Sequence, residues 1–296
     1  MQQKLRPWML PIAMLLGIIF HDSIHTLAFL SPYLIFAMLF ITYCRLSLRE
    51  MRMSRFIWAL LAVQIGLGII LYYILRPFDT EIAQSTFICV FCPTATAAPV
   101  VTGMLGGSIA LVATYSLASN IAVALLAPVL FTMFGATAHI SMLDIAMRVF
   151  PLIVFPLIAA VILDFVSPRL HRAVSSHQSL SFYIWAVSLL IVVGNAVSFV
   201  ISEPHGMIPE MIAMALLSLV VCVAQFAIGR AIGARLGDKI SCAQSLGQKN
   251  TVLAIWMALS YFNPITSVGA AAYVGWQNGI NSIQLYIKMR KEAHRR

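Results

Sequence analysis

Charge is the scarcest thing in this sequence. Only 10% of its 296 residues are Asp, Glu, Lys or Arg, against 61% that are hydrophobic, and the mean hydropathy is +0.92. A soluble domain of this length has no core large enough to keep that much apolar surface from water, so the bilayer is read as the solvent. Paired carboxylates inside an apolar segment are lacking, as are an H-E-x-x-H helix and a nucleophile elbow. These absences argue against a membrane enzyme, and no catalytic residue is expected. The five cysteines, Cys44, Cys89, Cys92, Cys222 and Cys242, fall in or beside apolar segments without an extracellular spacing pattern. Free thiols are expected, with no disulfide framework. The histidines (His21, His25, His139, His171, His177, His205 and His294) lie in loops or the tail and form no pair at helical spacing, so neither a metal site nor a cofactor is expected. Lys4 and Arg6 before an apolar run look like a signal peptide, but no small-residue cleavage site follows, which predicts an uncleaved first helix.

What is present is a series of apolar segments. A span needs roughly 20 apolar residues, and the chain has room for about ten. The expected spans are Pro7–Phe20, Leu27–Cys44, Phe56–Leu75, Glu81–Met104, Ser108–Phe134, Leu143–Val166, Leu180–Ile201, Met207–Ile232, Lys239–Phe262 and Ile265–Met289. They predict an all-α membrane protein with no soluble module attached. The net charge of +9 suggests nucleic acid at first, but the positions of the basic residues make a topology signal, and no nucleic-acid partner is expected. Lys4, Arg6, Arg45, Arg49, Arg52, Arg55, Arg169, Arg172, Arg230, Arg235, Lys239, Lys288, Arg290, Lys291, Arg295 and Arg296 all fall on the side shared by both termini. The opposite connections carry Arg76 and mostly acids, Asp22, Asp79, Glu81 and Glu203. By the positive-inside rule the helix count is even and both termini are cytoplasmic, in a multi-pass protein of the cell inner membrane. Contact of the basic tail with anionic headgroups is the alternative account of that charge.

The fourth and ninth spans are each broken near the middle. The fourth reads Cys92-Pro93-Thr94-Ala95-Thr96-Ala97-Ala98-Pro99, where two prolines remove helix hydrogen bonds and small residues replace bulk. The ninth reads Ser245-Leu246-Gly247-Gln248-Lys249-Asn250-Thr251, a polar patch between apolar flanks. The breaks lie about half a chain apart, as in transporters built from two inverted five-helix repeats, here 1–137 and 138–296. Ordinary proline kinks are common in membrane helices, but two breaks in register, one holding a lysine, favour the repeat. Unwound backbone in lipid persists only around a ligand, an ion or water. Helix-break residues Pro93, Pro99 and Gly247 therefore frame the expected site, and half-helices starting near Pro99 and Thr251 aim positive dipole ends at it.

Lys249 is the most informative single residue, because an ammonium near the bilayer centre is expensive. Asp238 and Glu210, the nearest acids in sequence, belong toward helix ends. Lys249 is then either a fixed cation for an anionic substrate, a proton carrier, or a structural cation capped by unwound carbonyls. Thr96, Asn250 and Thr251 offer donors and acceptors beside it. Gln64, Ser116, Asn120, Asn195, Gln225, Gln277 and Asn278, each taken alone, read as helix-packing residues. Asp144 and Arg148, four apart, read as an ion pair, and Cys89 and Cys92 as buried thiols or a soft-ion pair.

These residues resemble the bile acid:sodium symporter family. Cys92-Pro93, Thr96-Ala97 and the long helix ending at Pro128 are similar to that family's fourth and fifth helices; Asn250-Thr251 with Leu253-Ala254 is similar to its Asn-Ser-x-Leu-Ala; and Trp276-Gln277-Asn278 resembles its Trp-His-Asn. The resemblance implies ten transmembrane helices, with broken helices 4 and 9 crossing in a core domain (helices 3–5 and 8–10) packed on a panel domain (helices 1, 2, 6 and 7). It also implies a substrate region at Thr96, Lys249, Asn250, Thr251, Gln277 and Asn278, and a coupling-cation region at Gln64, Ser116, Ser245, Gln248 and Lys249. Most of the family's sodium ligands are replaced. Ala98 and Pro99 stand for a serine and an asparagine, Val112 and Ser116 for two hydroxyls, Ser245 for the shared glutamate and Lys249 for a glutamine, while Gln64 is kept. Two sodium ions with one carboxylate carry the same net charge as one protonated lysine without it. The expectation is a secondary transporter of a small organic anion, a carboxylate or sterol acid, working by alternating access. It is expected to be sodium-independent, with Lys249 replacing the bound cations, as a proton-coupled symporter, an exchanger or a facilitator. The alternatives are an arsenite-type efflux carrier using Cys89 or Cys92 and, from another class, a membrane enzyme with a Ser245–Lys249 dyad.

Overall fold

A computed structural model describes residues 9–45, 53–135, 141–176, 178–202 and 207–293. Several expectations lie outside the described residues: the start of the first span at Pro7, the charges Lys4, Arg6, Arg49, Arg52, Glu203, Arg295 and Arg296, the histidines His139, His177, His205 and His294, and the boundary at 137/138. Within them the chain is helical, with one isolated β-bridge and no named strand.

The helices are α1 (Met9–Ile19), α2 (His21–His25), α3 (Ser31–Cys44), α4 (Arg55–Leu75), α5 (Thr80–Phe91), α6 (Ala98–Leu105), α7 (Ile109–Met133), α8 (Met142–Val166), α9 (Pro168–Ser176), α10 (Gln178–Ser202), α11 (Ile208–Leu236), α12 (Lys239–Gly247), α13 (Thr251–Tyr261) and α14 (Ser267–Ala293). Short polar residues start several of them. The Asp79 carboxylate accepts from Ile82 N at 2.7 Å and the Asp238 carboxylate from Ser241 N at 2.9 Å, each satisfying a donor that the first helical turn leaves free. Ser141 and Asp144 form a reciprocal capping box. That box is the use the fold makes of Asp144: among the described residues it forms no ion pair with Arg148, contrary to the expectation from their spacing.

Among the described residues four helices are long and apolar enough to cross a membrane: Arg55–Leu75, Ile109–Met133, Met142–Val166 and the stretch Ile208–Arg235. They expose large apolar side chains, among them Trp58 and Ile70 on α4, Met147 and Ile162 on α8, and Leu216 and Val220 on α11. Water would not tolerate such surfaces in a monomer, whereas lipid does. The fourth and ninth expected spans are each two separate helices, α5 with α6 and α12 with α13. The nine-residue helix α9, PRLHRAVSS, is not expected from the sequence, because five of its residues are basic or polar and it starts on a proline.

The chain groups into two compact units. The first comprises 1–46, 124–208 and 255–267; in it α1 and α3 pack on α10, and α3 also packs on α8. A side chain on Gly17 would strike the Leu190 carbonyl, so α1 and α10 touch backbone to backbone. The second comprises 47–123, 209–254 and 268–296, and holds both breaks. Its core includes Ile57, Leu60 and Leu61 of α4, Tyr115 of α7, and Cys242 and Leu246 of α12. In lipid such a cluster is held by close packing, since the surrounding tails are as apolar as leucine. Backbones also touch where α12 lies along α11: a Cβ on Gly229 would fall on the Cys242 carbonyl, and one on Gly233 on the Asp238 carbonyl.

Candidate functional site

The two breaks meet within the second unit. Helix α5 stops at Phe91, and Cys92 is extended at φ −53° and ψ 143°, the conformation a following proline imposes. Helix α12 stops at Gly247, and Gln248 is extended at φ −90° and ψ 112° with no proline behind it. Phe226 packs flat against Gly247, leaving no room there for any Cβ. The two extended stretches pair antiparallel through Thr94 and Lys249. Ala95 N donates to Gln248 O at 3.0 Å and Asn250 N to Pro93 O at 2.8 Å. Side chains complete the crossing. Thr94 Oγ1 donates to Ser245 O at 2.6 Å, and Thr94 N to Ser119 Oγ at 3.2 Å. Gln277 grips Lys249 from both sides, accepting from its N at 2.7 Å and donating to its O at 3.2 Å.

Unwinding α5 leaves a row of carbonyls without helical partners. Cys89 O accepts from Gln225 Nε2 at 3.4 Å, Val90 O from Lys249 Nζ at 2.7 Å, and Phe91 O and Cys92 O from Gln64 Nε2 at 2.6 and 3.2 Å. The Gln64 amide is oriented by Tyr115, whose hydroxyl donates to Gln64 Oε1 at 2.5 Å. Tyr273 accepts from Gln225 at 3.0 Å and donates to Gly247 O at 2.8 Å, tying this cap to the second break. Lys249 is 1% exposed and, among the described residues, forms no ion pair with a carboxylate. Its compensation is the negative end of α5, where a cation is favourable.

Several polar atoms at the crossing are buried without a partner among the described residues: Ser245 Oγ, Gln248 Oε1, Asn250 Nδ2, Thr251 Oγ1 and Asn120 Oδ1. Each costs free energy unless something else bonds it. Asn250 also caps α13, its Oδ1 accepting from Leu253 N at 3.2 Å. Of the residues expected at the site, Gln64, Ser245, Gln248, Lys249, Asn250, Thr251 and Gln277 are buried here. Pro93 and Pro99 flank the crossing on the α5–α6 side, and Thr96 is half-buried in the turn before α6. Ser116 is buried on α7, with its carbonyl accepting from Ser119 and Asn120. Asn278 turns back on its own helix and donates to Val274 O at 2.8 Å. Thr94, Tyr115, Ser119 and Tyr273 are participants that the sequence reading does not pick out. Gln225, read there as packing glue, is part of the carbonyl cap.

The thiols have structural partners. Cys92 Sγ donates to Asn250 O at 3.1 Å, and Cys222 is hydrogen-bonded to Tyr273. Among the described residues no group of three His, Cys, Asp or Glu side chains is placed to hold a metal ion. Ser245 Oγ is not bonded to Lys249, whose ammonium is on Val90.

A model of the SBF-like CPA transporter family matches residues 10–274, a stretch that includes both breaks and every residue of the crossing except Gln277. The chain belongs to that family. The SBF-like CPA transporters lie within the bile acid:sodium symporter superfamily, as the motifs around Cys92, Asn250 and Trp276 imply. Membership makes this a multi-pass membrane protein of a transporter family, in keeping with the four membrane-length helices among its described residues. Comparison with curated proteins gives no match.

Proposed function

We propose that this SBF-like protein carries a small organic anion across the membrane without sodium, with the Lys249 ammonium doing the work of bound cations. One observation carries the reading: Lys249 Nζ sits on Val90 O, a carbonyl of the unwound crossing, with no carboxylate ion-paired to it among the described residues. An ammonium there takes an oxygen ligand of the kind a hard cation would take. It also leaves the crossing with a net positive charge that attracts an anion. Asn250 Nδ2, Thr251 Oγ1 and Ser245 Oγ are unbonded groups able to donate to a carboxylate.

The architecture we propose for this chemistry is ten transmembrane helices in two inverted five-helix repeats, 1–137 and 138–296. A panel of helices 1, 2, 6 and 7 and a core of helices 3–5 and 8–10 would work by alternating access, in the cell inner membrane with both termini cytoplasmic. The pairing of the two breaks supports the repeat, and the distribution of basic residues supports the orientation. The solute is a carboxylate or sterol acid, and coupling is to protons, by exchange, or absent. Arsenite efflux through Cys89 or Cys92 and a Ser245–Lys249 dyad are the weaker readings, because Cys92 and Lys249 are both committed to backbone carbonyls.

The test is uptake of radiolabelled organic acids into proteoliposomes, with sodium replaced by choline at constant pH and ionic strength. Uptake that holds within about twofold, and is lost in Lys249→Met, supports the reading. Collapse of uptake on sodium withdrawal overturns it.

A further inference from the structure

Beside the crossing, and sharing Phe226 with it, the second unit contains a cavity of about 1110 Å³. Its walls are the second half of α11, the second half of α14, the start of α12 and the Gly106-Gly107 turn after α6. None of the residues expected at the transport site lines it.

The lining is polarised. Val223, Phe226 and Ala227 on α11 and Ile280 on α14 form one end. Further along the same two helices come Arg230, Lys288 and Lys291, joined by Lys239 at the start of α12. At 1.5 Å per residue, Val223 to Arg230 covers about 10 Å and Ile280 to Lys291 about 16 Å. The cavity is thus an elongated slot with an apolar half and a cationic half. Asp238 is its single acid, and one of its oxygens already caps α12 through Ser241 N. Lys288 Nζ donates to Met104 O at 2.8 Å. Arg230, Lys239 and Lys291 form no ion pair among the described residues, so the slot keeps an uncompensated positive charge. Val223 is 49% exposed, so the apolar half opens onto the surface that faces lipid.

We propose that this slot binds an anionic phospholipid, with its phosphate among Arg230, Lys239, Lys288 and Lys291 and one acyl chain along Val223, Phe226, Ala227 and Ile280. A soluble anion would satisfy the cations and leave the apolar half empty, and a neutral lipid would do the reverse. A lipid with net negative charge supplies both, in the order in which the helices present them. Such an occupant bears on the transporter directly. Gln284, in the slot lining, accepts from Gln244 Nε2 at 3.2 Å, and Gln244 belongs to α12, the half-helix that leads to Lys249. The site is independent of which solute is carried.

The test uses the full chain in a neutral detergent, with binding followed by native mass spectrometry. Phosphatidylglycerol, phosphatidylcholine and glycerol 3-phosphate are titrated in parallel. Phosphatidylglycerol is expected to bind, to weaken about 10- to 30-fold in the double variant Arg230→Gln with Lys291→Gln, and to weaken also in Val223→Trp, which fills the apolar half without altering charge. The pair Arg235→Gln with Arg290→Gln removes the same charge outside the slot and is expected to change binding by less than about twofold. Equal weakening by that pair overturns the site in favour of general surface charge. Equal binding of phosphatidylcholine, or equally tight binding of glycerol 3-phosphate, overturns the assignment to an anionic lipid. If Val223→Trp fails to fold, the two charge pairs still decide between these outcomes.

Discussion

The two breaks share one backbone arrangement, an antiparallel pairing through Thr94 and Lys249, but they are made in opposite ways. The first is made by the backbone: Pro93 lacks an N–H and forces Cys92 to be extended, and the residues that follow are small. The second has no proline. It is made by close fit and side-chain bonds, with Phe226 packed against Gly247 and Gln277 holding both backbone atoms of Lys249. The second also stabilises the first, because Lys249 caps Val90 O and Ser245 O receives Thr94 Oγ1. One break is thus self-sufficient in conformation and dependent in hydrogen bonding, while the other supplies bonds to both. Damage to the second is therefore expected to cost more than damage to the first.

The largest effect is expected from Lys249→Met. It removes the buried cation and orphans Val90 O, and uptake in proteoliposomes should fall below detection while the protein still purifies as a folded monodisperse species. Its thermal unfolding should move little, because losing the cost of burying the charge offsets the lost hydrogen bond. If Lys249→Met transports normally, the asymmetry between the breaks is structural only.

Next comes Gly247→Val, which places a branched side chain in the Phe226 ring. Overpacking of this kind costs about 1–3 kcal/mol, to be read as a lowered unfolding midpoint in detergent. Partial recovery in the double variant with Phe226→Ala would identify the clash as the cause. Gln64→Leu should follow closely. It leaves Phe91 O, Cys92 O and the Tyr115 hydroxyl without their present partner, and an unsatisfied buried group costs about 1–3 kcal/mol. The smallest effect is expected from Pro93→Ala, under about 1 kcal/mol, since Asn250 N still bonds the carbonyl at that position and the crossing bonds persist. A Pro93→Ala variant less stable than Gly247→Val would reverse the comparison.

How much of this was legible beforehand differs between the parts. Both breaks stand out in the sequence because proline, glycine and clustered amides interrupt apolar runs, and Lys249 stands out because a buried ammonium is rare. Its partner does not, since a backbone carbonyl such as Val90 O has no sequence signature. Gln64 and Gln225 read one by one as packing residues and Tyr273 carries no sequence signal, and only their convergence on the end of α5 gives the three a joint role. The cations of the slot were visible but were absorbed into a topology argument, because Arg230, Lys239, Lys288 and Lys291 satisfy the positive-inside pattern whether or not they surround a cavity. A signal was present in α14, where Gln277, Asn281, Gln284, Lys288 and Lys291 recur at alternating steps of four and three and so share one face. The helix α9 shows the converse: its nine residues hold only Leu170, Ala173 and Val174 as apolar side chains, an apolar pattern too short to be distinguished from a loop.

By itself the sequence determined the solvent, the family and where the helices must break, because hydropathy, proline and glycine act on the chain locally. Which groups satisfy the broken backbone was decided only by the tertiary structure. An exposed carbonyl in lipid must find some donor, and several glutamines, a tyrosine and a lysine were all chemically able to provide one. Geometry alone selected Lys249 for Val90, Gln64 for Phe91 and Cys92, and Gln225 for Cys89.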